Sequence, residues 1–162
     1  MIRSATVADA HAVANIYNRY IESSIVTFEE EAIEAAEMAE RIDKVLAGSL
    51  PWLVIEVGRQ ILGYAYANAW RARRAYRFSV ETSIYLAGEH AGHGLGTGLY
   101  DHLLSDLARR GMHVAIGGIA LPNEASVRLH ERLGFKKVAQ LEQVGFKFGS
   151  WIDVGYWQKI LG

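Results

Sequence analysis

The stretch from Val80 to Tyr100, V-E-T-S-I-Y-L-A-G-E-H-A-G-H-G-L-G-T-G-L-Y, constrains the fold more than any other. It opens as an alternating, β-branched run and closes as the start of a helix. Gly92, Gly94, Gly96 and Gly98 lie between. Glycine admits backbone conformations closed to other residues and lets a ligand come close to the main chain. A helix that begins in such a loop turns unpaired N–H groups and a positive dipole end into it. Strand, glycine loop and helix in this order form a seat for a phosphate-bearing ligand.

The rest of the chain reads around that seat. Ile2–Ala5 fits a short strand. Thr6, with Asp9 three residues on, reads as a helix N-cap. Val13, Ile16, Tyr17, Tyr20 and Ile21 recur at helical spacing, so a helix is expected over Val7–Ser23. Ser24–Glu30 is a loop carrying Phe28, and a second helix fits Glu31–Ala47 before Gly48. W-L-V-I-E-V and I-L-G-Y-A-Y-A flank Gly58-Arg59-Gln60 and predict an antiparallel hairpin. Residues 70–78 break the pattern as a loop or strand end, and Ser79–Leu86 is a further strand. A helix ending at Gly111, a buried strand over His113–Ala120 and a helix opening at Pro122-Asn123 follow. Phe135–Leu141 and Trp151–Ile160 close the chain as strands, with a loop or hairpin between them. Helices first, then antiparallel strands, then strand–helix–strand–helix–strand, is an α+β pattern with a mixed sheet in one domain over residues 1–162.

Composition excludes several classes. A chain of 162 residues, half of them hydrophobic, can bury a core. Its net charge of -1 argues against a nucleic-acid partner, which needs a cationic face. No apolar run reaches the length of a membrane span. Without cysteine there is no disulfide, thiolate metal site or cysteine nucleophile, and a cytoplasmic setting is the simplest fit. His90 and His93 form H-x-x-H without further ligands at suitable spacing, so no metal is expected.

The glycine spacing narrows the ligand. G-x-G-x-x-G fails in both registers, because Thr97 or Leu99 takes the sixth place, and no Gly-Lys-Ser/Thr follows. Ala91-Gly92-His93-Gly94-Leu95-Gly96 resembles the pyrophosphate loop of the Gcn5-related N-acetyltransferases, Q/R-x-x-G-x-G/A, with Ala91 where Gln or Arg is usual. Backbone N–H groups of Gly92, His93, Gly94, Leu95, Gly96 and Thr97 then do most of the gripping. N123-E-A-S-V-R-L-H-E-R-L-G-F135 resembles a second signature of that superfamily. There Asn123 and Ser126 lie beside a pantetheine arm, although Asn123 also suits a plain helix N-cap. P51-W-L-V, W70-R-A-R-x-A-Y76, E81-x-S-x-Y85, G-F-K-x-G-x-W151 and D153-V-G-x-W157-Q extend the likeness to the phosphinothricin acetyltransferase group over nearly the whole chain. The resemblance implies a GNAT-like, mostly antiparallel sheet flanked by helices on both faces, acetyl-CoA as co-substrate and a homodimer. It also implies transfer to the α-amine of a glutamate-like amino acid such as phosphinothricin, methionine sulfoximine, methionine sulfone or arsinothricin.

Amine attack on a thioester needs an unprotonated amine, and free α-amines are mostly protonated near neutrality. Glu81, in an apolar and hydroxyl-bearing strand, is a candidate proton acceptor, its pKa raised by desolvation. It could instead anchor an arginine. His130 stands where the superfamily often places a general acid, yet it also fits a hydrogen-bonded core histidine. The resemblance puts a thioester-oxygen donor near Leu86, with Ile84, Tyr85 and Leu86 pairing with pantetheine as another strand. That requires the sheet to splay after Leu86. Arg71, Arg73, Arg74 and Arg77 suit carboxylate or phosphinate oxygens. Family position favours Arg71 and Arg73, with Tyr76 and Phe28 as walls and Thr82 and Ser83 as polar contacts. Two other functions share these features: a CoA-binding sensor without turnover, and an acetyltransferase for peptide or protein N-termini.

Overall fold

The computed structural model describes all residues, Met1–Gly162. Seven strands form one sheet in the order β1-β2-β3-β4-β5-β7-β6. They are β1 (Ile2–Ser4), β2 (Trp52–Val57), β3 (Gln60–Ala69), β4 (Ser79–Leu86), β5 (Val114–Ala120), β6 (Lys136–Lys147) and β7 (Ser150–Ile160). Every neighbouring pair is antiparallel except β4 and β5, which run parallel. Helices α1 (Ala10–Ser23) and α2 (Ala35–Ala47) cover one face, and α3 (Leu95–Arg109) and α4 (Glu124–Arg132) the other. Two cores result. Val13, Ile21, Met38 and Ile42 pack on Trp52, Val54 and Tyr64, while Leu99, Leu103 and Leu107 pack on Ala65, Val80 and Ala115.

Most elements fall where the sequence places them, and the departures have physical causes. Residues 7–9 form a 3-10 turn before α1, with Asp9 accepting from the Thr6 N–H at 2.8 Å and pairing with Arg3. The second helix begins four residues later than expected. The Asn18 side chain donates to the Ile33 carbonyl and accepts from its N–H, both at 2.9 Å, which takes that peptide out of any helical ladder. The segment after Leu141 is a hairpin, turning at Phe148 and Gly149, both at positive φ.

The parallel seam between β4 and β5 is short. Ser79, Val80 and Glu81 pair with Val114, Ala115 and Ile116, and pairing stops there. The sheet therefore splays after Glu81, five residues before the expected point at Leu86. Trp70 N–H donates to the Ser79 carbonyl and Ala87 N–H to Leu62, so odd-numbered residues of β4 bond to β3. Alternation then turns the main-chain groups of Thr82, Ile84 and Leu86 toward the side that β5 has left.

Candidate active site

A cavity of about 410 Å³ opens where β4 and β5 part. Ile84 and Leu86 form its strand wall, and Ala91, Gly92, Gly94, Gly96 and Thr97 its loop wall. Gly92 and Gly94 sit at φ 86° and 79°, which explains why glycine is required at both. Gly94 is the N-cap of α3 and brings no side chain. The first N–H groups of the helix, from Leu95 to Thr97, thus have no intrahelical acceptor and face an anion site. Gly96 serves packing instead: a methyl group there would stand 3.1 Å from Leu86 Cδ1. His93 and Leu95 do not line the cavity with their side chains, and Leu95 packs on the core.

The opposite wall comes from α4. Asn123 and Ser126 line the cavity as expected. Asn123 is also the helix N-cap, its Oδ1 accepting from the Ser126 N–H at 3.1 Å. Arg128 and Arg132 of α4 line the cavity too, a positive charge that the motif does not mark. Tyr20 and Val26 complete it from the α1 side. Tyr20 Oη donates to the Leu86 carbonyl at the edge of the splay.

Glu81 lies three residues before Ile84, about 10 Å along the strand. Its carboxylate is half-buried, and burial raises its pKa while the charge of Arg71 opposes that rise. It forms no salt bridge within 4.0 Å, although the charge of Arg71 is near enough to act on it. Trp70 and Tyr156 meet edge to face beside it, at 5.7 Å. Arg71 stacks on Trp70 at 4.8 Å. Arg71 also lines a second hollow, together with Arg73, Arg74, Arg77 and Arg110, and Tyr76 is exposed.

His130 approaches the same seam from the other face of the sheet. It is 4% exposed, and neither ring nitrogen is free. A carbonyl can only accept, so Nδ1–H donates to the Ser126 carbonyl at 2.8 Å. Nε2 then accepts from Tyr100 Oη at 2.9 Å, and that hydroxyl meets Thr82 Oγ1 at 2.6 Å. Burial lowers the His130 pKa and keeps the ring neutral. Of the two readings of His130, this geometry fits the hydrogen-bonded core histidine, which reaches the seam through Tyr100 and Thr82. Thr82, expected to touch an acceptor, is likewise buried on the α3 face, whereas Ser83 faces α1.

Two adjacent glycines of β5 explain how both groups fit. A methyl group at Gly117 would stand 2.5 Å from His130 Nε2, and one at Gly118 would stand 3.4 Å from Glu81 Oε1. Imidazole and carboxylate thus press on one strand from opposite sides, beside the last β4–β5 pair. The sequence signal was available: two glycines inside V-A-I-G-G-I-A mark a close approach.

The Glu81 face also carries Tyr85, which the motifs mark, and Tyr17, Glu29 and Arg41, which they do not. Tyr85 turns away from the cavity and meets Tyr17, Tyr20 and Tyr64 at 5.2–5.3 Å. Tyr17 Oη bonds Thr27 and Glu29, and Arg41 holds Glu29 in a two-pronged ion pair at 2.6 and 2.9 Å. Phe28 stands beside this row, 40% exposed, its ring against Gly145.

Comparison with known proteins agrees with this geometry. Phosphinothricin N-acetyltransferase of Streptomyces viridochromogenes is 44% identical over 98% of this chain and 86% of its own length. L-methionine sulfoximine/L-methionine sulfone acetyltransferase of Salmonella typhimurium is 36% identical over 97% of this chain and 92% of its own. The crystal structure of a GNAT superfamily phosphinothricin acetyltransferase from Sinorhizobium meliloti, in complex with acetyl-CoA, superposes with a TM-score of 0.96. It is 36% identical, covering all of this chain and 88% of that one. The family model for an acetyltransferase (GNAT) domain matches residues 2–155. Splayed sheet, glycine loop and sequence agree: this chain belongs to the GNAT acetyltransferases.

Proposed function

We propose that this protein transfers the acetyl group of acetyl-CoA to the α-amine of a small, glutamate-like amino acid. One observation carries the reading: a half-buried carboxylate without an ion-pair partner sits at the last β4–β5 pair, on the strand that walls the cofactor cavity. The pyrophosphate rests on the Gly92–Thr97 main chain, with Arg128 and Arg132 supplying the charge that Ala91 does not. The pantetheine amides pair with Ile84 and Leu86, and the Leu86 N–H stabilises the thioester oxygen as negative charge develops.

Glu81 takes the proton of the amine, which then attacks the carbonyl carbon. The tetrahedral intermediate collapses, the C–S bond breaks, and the departing thiolate takes up the second proton that the nitrogen sheds as the amide forms. His130, through Tyr100, orients Thr82 beside the reacting centre. Arg71 receives the acceptor's carboxylate, and Phe28 and Ser83 bound its side chain. Phosphinothricin, methionine sulfoximine, methionine sulfone and arsinothricin fit this class, and modifying them would be a detoxification.

A second copy covers the β6–β7 hairpin, where Val144 and Phe146 on the edge strand β6, Phe148 in the turn and Trp151 on β7 are exposed. Sedimentation of the purified protein at twice the chain mass is the expected result.

Thiol release from acetyl-CoA across a panel of those four compounds, glutamate and a short peptide tests the main reading. Release with an amino acid and loss of release in Glu81→Gln support it. Cofactor binding without release would leave a sensor in its place, and release with the peptide alone would move the acceptor to polypeptide N-termini.

A further inference from the structure

Lys147 is an ionisable residue that the reaction does not use, and it is 2% exposed. Its ammonium faces no carboxylate within ion-pair distance. It donates instead to three backbone carbonyls, those of Ile21, Ser24 and Thr27, each at 2.8 Å. All three of its protons are used. Ile21 lies in the last turn of α1 and Ser24 is its C-cap, so a side chain 126 residues away caps the negative end of that helix.

The segment held in this way reaches both halves of the site. Val26 lines the cofactor cavity, and Phe28 stands on the acceptor side. Two residues before Lys147 on the same strand, Gly145 receives the Phe28 ring, and a methyl group there would overlap it. The hairpin thus grips residues 21–28 twice, by charge at Lys147 and by shape at Gly145.

We infer that Lys147 is a positioning residue: its ammonium, caged by three carbonyls, fixes residues 21–28 and thereby sets how closely Phe28 fits the acceptor. This rests on the proposed transfer to a small amino acid. A loop left to move by an ångström would admit the acceptor in poor alignment and weaken its binding more than that of the cofactor.

The chain has no cysteine, so Lys147→Cys introduces a single thiol. Aminoethylating that thiol in the unfolded protein and refolding restores an ammonium at nearly the same reach. In Lys147→Met and in unmodified Lys147→Cys, amides of residues 24–30 are expected to exchange about tenfold faster or more. Acceptor KM is expected to rise about tenfold, with kcat and acetyl-CoA affinity within about threefold of wild type. Aminoethylation restores both readouts. Unchanged exchange, or faster exchange with unchanged KM, overturns the inference. Should these variants not fold, Lys147→Arg decides it, since it keeps the charge but cannot seat a planar guanidinium on the same three carbonyls: faster exchange of residues 24–30 with a raised acceptor KM supports the inference, and both unchanged overturn it. If the wild-type protein acetylates no amine in the panel, the functional proposal falls, while the exchange measurement still decides whether Lys147 holds the segment.

Discussion

Glu81 and His130 sit on either side of one strand and are treated in opposite ways. His130 is enclosed, with both nitrogens bonded inside the protein. Glu81 is half-open and bonded to nothing. A side chain with all its bonds satisfied holds structure, whereas a charged one left without a partner is available for chemistry. The contrast supports the proposal that the carboxylate face moves the proton and the imidazole face aligns its neighbours.

The largest expected effect tests the carboxylate. Glu81→Gln should lower kcat/KM by about 10²–10⁴ in a thiol-release assay, with acetyl-CoA affinity preserved. Because burial raises the Glu81 pKa, the acidic limb of kcat/KM in the wild type should lie above the ordinary carboxylate range. Activity is lost as pH falls through that limb, and the limb should vanish in the variant. A variant that retains full activity would end the asymmetry between the faces.

On the other face, stability should respond first. His130→Phe removes the ring donor from the Ser126 carbonyl and leaves the Tyr100 hydroxyl with Thr82 alone, at a cost of about 1–3 kcal/mol in denaturant unfolding. The wild-type pKa of His130 is depressed by burial, so the unfolded chain binds the proton more readily. That contribution is complete above the unfolded value of 6.5 and is lost as pH falls through the lower folded value. The variant should lose this part of the acid sensitivity.

The glycine pair sharpens the comparison further. Gly117→Ala drives a methyl group into a packed imidazole and should cost about 1–3 kcal/mol of stability. Gly118→Ala meets Tyr156 at 3.2 Å and Glu81 Oε1 at 3.4 Å. It should reduce turnover while shifting the midpoint of unfolding less than its neighbour does. Smallest of all, Arg132→Ala should raise the acetyl-CoA KM by about threefold to tenfold and leave the acceptor KM alone, as for one hydrogen bond of ordinary net strength at an exposed side chain. Titration calorimetry with coenzyme A provides the check.

What could be read from the sequence follows the same division. The cofactor half is built from main chain, and main-chain geometry leaves glycines at fixed spacing, so Gly92, Gly94 and Gly96 announce it. Strand β4 and its alternation are legible because apolar and hydroxyl residues repeat with period two. The acceptor half is built from side chains that meet only after folding. Tyr17, Tyr85, Glu29 and Arg41 come from separate elements, and no local pattern links them. Thr82 is misjudged for the same reason, since only the position of Tyr100 shows which face it serves. The late start of α2 depends on Asn18, one helix earlier. Where the sheet opens depends on β5, which the sequence of β4 does not contain.

Three residue pairs are all that fasten β4 to β5, so the sheet is two lobes, of four strands and three, sewn by a few stitches. A molecule threaded through the opening continues the seam where the polypeptide leaves off. Occupancy should then govern rigidity: bound acetyl-CoA is expected to slow amide exchange along the line where the two lobes meet.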